Sequence, residues 1–536
     1  MAERNRHDSQ ILGVAAEPLI YEGPMGASAD LDEAAHLLFA DNWQRAERIL
    51  GNVLRAKPSN AQALHLAGVA RHRAGEIKQA RRFVEQAIES APQDARFHIT
   101  LAQILEEADD LPAAVVAYER AVSLDPLDAE TYFALANALK RIGHLDAAVE
   151  YYEKALEIVP NDAPTLYNLG NTLKSAARLE EAVEAYRLAL SAQPGFLPVY
   201  KNLGIALKDL GQTAEGFDVL RTGASLMFAP DALSDEDLLI PLRTSKAKLQ
   251  HDAEQIEYLI ERDKISDRFR DDAKVFDQIR AAAPSARAAT ESFQLPSVEQ
   301  RKIARTYNRL IYLNDGRRCE GSALNPKLDT RMIEQNYHAS KPEVTYFDDF
   351  LTPEALRRLR EFCLESTIWY TRYENGYVGA MLGDGFASPL LAQIVDEVPQ
   401  ALPGIFGDHK LNQAWAFKHD SELTGVNLHA DFAAVNLNFW ITPDDALEDP
   451  EAGGLIVWDK DAPLDWDFHK YNVDEDAMRR FLEENDAHEV RIPYRQNRAL
   501  VFKSDVFHET GRLAFRPGYE NRRINVTLSY GYRRSP

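Results

Sequence analysis

The stretch "DAETYFALANALKRIGHLDAAVEYYEKALEIVPN" (128–161) holds two runs of helical spacing, separated at Gly143 and closed by Pro160. Proline cannot donate to the preceding turn and clashes with it, so Pro160 stops the second helix, while Gly143 supplies the turn between the two. The pattern recurs. Pro58, Pro92, Pro126, Pro160 and Pro194 stand 34 residues apart four times in succession. Twelve residues before each proline sits an alanine (Ala46, Ala80, Ala114, Ala148, Ala182), and five before the last four sits another (Ala87, Ala121, Ala155, Ala189). Tyr118, Tyr152 and Tyr186 come eight before the later prolines, and the small residues Ala34, Gly68, Ala102, Ala136 and Gly170 come twenty-four before. Small residues at fixed phase mark close helix contacts, and a fixed period of this length marks a solenoid.

At its small, aromatic and proline positions the series resembles the tetratricopeptide repeat over residues 29–228, as five good copies and a sixth, degenerate one with Gly204 and Gly216 in phase. The resemblance implies an all-α superhelix whose concave groove docks a protein or peptide. The competing reading is that the array serves assembly, homo-oligomerisation included, or spaces a domain. Residues 1–28 are polar, small and aperiodic and are expected to form a disordered tail. Residues 229–338 keep helical spacing without the repeat phase and read as a helical connector, its charge clusters a solvated face.

Composition narrows the function classes. A chain of 536 residues exceeds one core and divides into domains. No apolar run approaches the ~18 residues of a membrane span, and "MAERNRHDSQILGVAAEPLIYEG" lacks a signal-peptide core, so a cytoplasmic location without membrane association is expected. The net charge of −23 opposes nucleic acid as a partner. Cys319 and Cys363 are the only cysteines, so any metal is held by His and carboxylate.

From residue 339 the period changes. After "TPEALRRLREFCLEST", with Thr352 as N-cap and Pro353 in the first turn, short runs dominate: "LNQAWAFKH", "VNLHADFAAVNLNFWIT", "GGLIVWD", "HEVRIPY", "RALVFKSDVFHE" and "RRINVTLSYGY". Many short strands with one external helix predict a β-sandwich or jelly roll. An insert at 459–488, carrying "EDAMRRFLEEN", reads either as a lid over the mouth of the fold or as a surface excursion.

Within "VNLHADFAAVNLNFW" (426–440) stands His429-Ala-Asp431. The same spacing in His144-Leu-Asp146 falls at an inter-helix turn of a repeat and reads as surface. On a strand, however, residues i and i+2 share a face, so His429 and Asp431 can reach one ion. His508, at the end of a later apolar run, supplies a third ligand. Two imidazoles and a carboxylate on one side of an ion leave the opposite positions open, the facial arrangement of non-haem Fe(II) sites. The last strand carries Arg523, Asn525, Thr527 and Ser529 on one face, and an arginine there offers a fixed fork to a carboxylate.

In the order HxD, distal His, Arg, and in "RINVTLS", residues 339–536 resemble the Fe(II)- and 2-oxoglutarate-dependent dioxygenases; "FWITPDDALEDPEAGGLIVWD" is similar to members related to prolyl hydroxylases and phytanoyl-CoA dioxygenase. The resemblance implies a double-stranded β-helix with His429, Asp431 and His508 on Fe(II), Arg523 on the distal carboxylate of 2-oxoglutarate, O2 as oxidant and ascorbate as an optional reductant. Arg522 adjoins Arg523 and competes for that role. Asn525, Trp440 and Gln413 are further candidates for cosubstrate contact, with Trp415, Lys418 and Asn427 behind them; for Trp440 a core position is the alternative. Arg512 reads equally as a substrate contact or a solvated residue.

Three functions are compatible with these residues: hydroxylation of a protein or peptide side chain captured by the repeats; oxidation of a small molecule or lipid, with repeats for assembly; and a non-catalytic scaffold.

Overall fold

Helix initiation in the first half repeats with the sequence. Asn60, Asp94, Asp128 and Asp162, each two residues past a periodic proline, accept hydrogen bonds from the first free N–H groups of the helices Ala61–Arg73, Ala95–Glu107, Ala129–Arg141 and Ala163–Ser175. Gly143 has φ +82°, the left-handed geometry that ends a helix at glycine without a Cβ penalty. Each first helix is followed by a second (Ile77–Ser90, Leu111–Leu124, Leu145–Ile158, Leu179–Ala192), and the periodic alanines are buried between them: Ala80, Ala114, Ala148 and Ala182 are fully covered. The periodic tyrosines reach back to the first helix of their own pair, Tyr152 Oη donating to Asn137 (2.6 Å) and Tyr186 Oη to Asn171 (2.7 Å). At Gly170 a Cβ would stand 2.6 Å from the Tyr186 ring, so only glycine admits that close approach.

The computed structural model describes residues 29–232, 242–283, 289–420 and 425–533. The tail expected at 1–28 and part of the charged stretch at 233–241 lie outside them. The chain divides between Pro194 and Gly195 into two compact units. The first holds five helical pairs of the array. The sixth pair, Leu197–Asp209 and Thr213–Met227, belongs to the second unit.

In the second unit, β1 (Arg243–Thr244) and β2 (Phe293–Gln294) form a short ribbon. Two antiparallel sheets follow. The larger has seven strands in the order β3 (Val344–Phe347), β10 (Ala499–Lys503), β7 (Val435–Trp440), β12 (Arg523–Tyr530), β6 (Leu411–His419), β5 (Val378–Met381) and β4 (Thr371–Arg372); the smaller has β11 (Val506–Thr510), β8 (Leu455–Asp461) and β9 (Glu489–Ile492). One face of the large sheet presents Val435, Leu437, Phe439, Ala414, Ala416, Ile524, Val526 and Leu528 to the helices Pro353–Glu365 and Pro389–Ala401, forming the main core. Thr352 caps the first of these by accepting from Ala355 N–H (3.2 Å). The other face meets the small sheet through Trp440, Leu500 and Phe502 against Leu455, Val457, Ile492 and Val506.

Two expectations are corrected. The helix Lys246–Glu261 is not a solvated spacer: Lys248 and His251 are buried and both pair with Asp252, and Glu254 binds Arg522. Lys248 is admitted there because it meets Asp252, and His251 because burial lowers its pKa well below the usual value and keeps it neutral. Nor does one regular strand run over 426–440. β7 begins at Val435, and His429 makes only an isolated bridge to His508, because the segment turns away to meet β11.

Candidate metal centre

The two imidazoles are held by reciprocal backbone bonds. His429 N–H donates to His508 O (3.0 Å) and His508 N–H to His429 O (2.8 Å), which sets their rings 4.2 Å apart. Asp431 N–H donates to Ser504 O (2.9 Å), bringing its carboxylate to the same place. Each ring is further oriented through Nδ1, His429 on Asn427 O (2.8 Å) and His508 on Val506 O (3.0 Å). That fixes Nδ1 as the protonated nitrogen and leaves both Nε2 lone pairs free, as metal-binding histidines require. The Nε2 atoms stand 3.7 and 3.5 Å from the two Asp431 oxygens, and all three groups offer a ligand atom within 4.8 Å of the others. Ligands bound at ~2.1 Å in neighbouring positions stand roughly 3 Å apart, so small side-chain rotations close this set on one ion. Among the described residues no other cluster of His, Cys, Asp or Glu comes so close.

Burial, then the neighbouring His429, pushes His508 down to about 4, so its imidazole is neutral at pH 7. The Asp431 carboxylate accepts from Asn436 Nδ2, and Asn436 in turn accepts from Ser529 Oγ. The His429 side chain is 17% exposed against 8% for Asp431 and 4% for His508, so the group opens past His429.

From this group the polar face of the large sheet continues in cross-strand rows. Gln413, Ser529 and Asn436 form the first; Trp415, Thr527 and Asn438 the second; Phe417, Asn525 and Trp440 the third; His419 and Arg523 the fourth. The structure therefore places Gln413, Asn525, Trp440 and Arg523 on one face, with Gln413 in the Asn436 row and Trp440 beside the arginine. Arg523 is 1% exposed, donates from Nε to Gly453 O (2.7 Å), and lies 5.5 Å from the Trp440 ring. Burial pulls it down to about 10, so it stays charged at neutral pH. No carboxylate pairs with it among the described residues.

Arg522 points the other way, to Glu254 (2.8 Å) and Asp420 (2.8 Å), which excludes it from this face. Lys418 also lies opposite, donating to Tyr519 Oη (2.6 Å) and Cys363 O (3.1 Å). Asn427 accepts from Asn375, and Arg512 pairs with Asp449.

Sequence reading missed His419. It is buried with neither ring nitrogen hydrogen-bonded, packs tilted against Tyr377 with ring centroids 4.8 Å apart, and stands directly across from Arg523. Burial, then the charge of Arg523, lowers its pKa well below the usual value and keeps it neutral. Trp415 Nε1, Asn438 Oδ1 and Trp440 Nε1 are likewise buried without partners. Buried polar atoms are nearly always hydrogen-bonded, so four such residues on one face, beside a guanidinium with no carboxylate partner among the described residues, set this face apart from an ordinary core. The available signal was the phase of His419 with Gln413 and Trp415 along β6.

Family models described as "Tetratricopeptide repeat" match residues 29–104, 95–138, 129–162 and 151–184. Residues 29–184 are tetratricopeptide repeats. No curated protein matches the chain. Among solved structures it is similar to MamA (24% identity, TM-score 0.29, covering 29% of this chain and 92% of that one). It is also similar to YrrB, titled a TPR protein with an unusual peptide-binding site (25% identity, TM-score 0.30, 32% and 90% covered), and to pilF of Pseudomonas aeruginosa (19% identity, TM-score 0.34, 39% and 93% covered). No helix among the described residues is long and apolar enough to cross a membrane.

Proposed function

We propose that the second unit is an Fe(II)- and 2-oxoglutarate-dependent dioxygenase, its two sheets forming a double-stranded β-helix, and that it hydroxylates a side chain of a protein or peptide held by the repeats. One observation carries the reading: a buried arginine without a carboxylate partner lies on the sheet face whose Asn436 holds the Asp431 carboxylate of a His/Asp/His group. A metal alone accounts for the triad. It leaves unexplained a buried charge, which costs several kcal/mol unless an anion meets it.

The residues present fit the implied groups. His429, Asp431 and His508 would hold Fe(II), and the set leaves its other positions for cosubstrate and oxygen. Arg523 would bind the distal carboxylate of 2-oxoglutarate with its terminal nitrogens, its Nε being committed to Gly453, and His419 would complete that contact as a neutral imidazole. When bound, iron would activate O2 as the oxidant, one oxygen atom going to an unactivated C–H bond and the other to 2-oxoglutarate, which is oxidised to succinate and carbon dioxide. The chain's own part is orientation and exclusion of water: Asn436 fixes the Asp431 carboxylate, the two carbonyls fix the imidazole rings, and Trp440, itself packed on Tyr494 at 5.3 Å, covers the arginine.

Anaerobic titration tests this. Fe(II) should bind one to one, and a visible absorption band should appear only when 2-oxoglutarate is also present, with Asp431→Ala abolishing both. Absence of stoichiometric binding in the wild type would favour the scaffold reading. Substrate class is read separately, by incubating the loaded chain with peptides and seeking a mass gain of one oxygen atom; oxidation of small molecules alone would move the assignment to the second class.

A further inference from the structure

The insert at 459–488 packs onto the ligand-bearing backbone. Past β8 it forms two short helices, Phe468–Asn472 and Glu475–Glu484, with Asp467 and Asp474 capping them. Its apolar residues Tyr471, Met478 and Leu482 are buried with Leu428, Ala430 and Phe507. Those three are the immediate neighbours of His429 and His508.

Ala430, the residue between the two HxD ligands, has both backbone polar groups bonded to the insert: its N–H donates to Tyr471 O (2.8 Å), and its carbonyl accepts from Asn472 Nδ2 (2.8 Å). With His429 paired to His508 and Asp431 to Ser504, three consecutive residues have fixed backbones. Arg533 ties the remaining pieces. Its guanidinium donates to Asp505 Oδ1 (2.6 Å), on the turn before His508, and to Ala462 O (2.8 Å) and Pro463 O (2.7 Å), where the insert begins. It lies over the Tyr471 ring at 4.1 Å, and its own N–H donates to Phe432 O (2.8 Å), next to Asp431.

We infer that the insert is a fixed buttress rather than a lid, and that Asn472 and Arg533 are positioning residues which set the separation of His429, Asp431 and His508 through the backbone. The inference rests on the metal-site reading above. Neither residue touches the ion; each acts by removing freedom that metal binding would otherwise have to remove, the kind of support whose loss weakens metal affinity by about 10- to 100-fold. A lid would be bound at its hinges, whereas this segment is bonded to the ligand strand at its centre.

The test uses the full chain and Co(II), whose absorption reports ligand geometry. Asn472→Ala and the isosteric Asn472→Asp, which has no hydrogen to donate, should weaken Co(II) binding by about 10- to 100-fold and shift its visible bands. Arg533→Lys keeps the charge but not the fork and should do the same. Glu484→Ala, on the exposed end of the insert's second helix, should leave both unchanged. Thermal unfolding of the metal-free variants separates loss of affinity from loss of fold, and Arg533→Lys stands in should Asn472 variants unfold. Wild-type affinity and spectrum in Asn472→Ala and Arg533→Lys would overturn the buttress while leaving the metal site standing. Failure of the wild type to bind Co(II) would instead overturn the metal reading, and this inference with it.

Discussion

Arg523 opens β12 and Arg522 immediately precedes it, and their side chains go opposite ways, the first of the pair in sequence neutralised by Glu254 and Asp420, the second buried with no carboxylate partner among the described residues. One is neutralised within the fold; on the proposed function the other meets the distal carboxylate of 2-oxoglutarate. Arg523→Ala should therefore leave the fold intact and weaken 2-oxoglutarate binding by about 10²-fold or more, two charge-assisted hydrogen bonds being worth ~1.5–3 kcal/mol each. Arg522→Ala should do the reverse, losing about 2–4 kcal/mol of stability, less than a fully buried pair because Glu254 keeps 29% exposure. Calorimetric titration and thermal unfolding of both variants check the pair.

His419 buries two ring nitrogens with no hydrogen-bond partner among the described residues, a cost of ~1–3 kcal/mol for each group left unsatisfied. His419→Phe should raise the unfolding temperature of the ligand-free protein by a few degrees and at the same time weaken binding of 2-oxoglutarate. A drop in both stability and affinity would show that the ring is there for packing.

In the repeats, Gly170→Ala forces a methyl group into the Tyr186 ring and should cost about 1–3 kcal/mol, while Tyr186→Phe removes only its hydrogen bond to Asn171, about 1 kcal/mol. Amide hydrogen exchange over Ala163–Ser175 and Leu179–Ala192 should report both losses locally, the glycine variant more strongly.

His65 gives the first unit a pH dependence. Its Nε2 meets Thr100 Oγ1 (2.8 Å) and its ring packs on Phe97 (4.7 Å). Burial, then the charge of Arg96, lowers its pKa from 6.5 to about 4. The unfolded chain therefore takes up a proton below 6.5, and the folded chain only near 4. The contribution to stability is fully present above pH 6.5 and is lost as pH falls through that window. His65→Gln should flatten the fall in the unfolding midpoint between pH 6.5 and 4.

Sequence carried the repeats because their information is local: Pro58, Pro92, Pro126 and Pro160 mark each unit, and the caps at Asn60, Asp94, Asp128 and Asp162 follow from their phase. It singled out His429, Asp431 and His508, whose ligand atoms the structure gathers within 4.8 Å of one another, because donor chemistry is rare enough for spacing to mark it. His419 escaped because its meaning lies in its partner across the sheet, and the choice between Arg522 and Arg523 needed the pairing of β12 with β6. Lys248 and His251 read as solvent-facing because helical charge usually is; only Asp252 beside them and the packing of the helix show otherwise. The regular strand expected over 426–440 breaks before Val435, since the hydrogen bonds of His429 and Asp431 go to His508 and Ser504, residues that no local pattern connects to them.

The central claim is that this face activates oxygen with 2-oxoglutarate, and its most direct test is succinate release. Full-length protein given Fe(II), 2-oxoglutarate and oxygen should form succinate slowly even without a peptide substrate, and His429→Ala, Asp431→Ala and Arg523→Ala should abolish it while Arg522→Lys retains it. Succinate formation that is absent in the wild type, or unchanged in Asp431→Ala, would contradict the account.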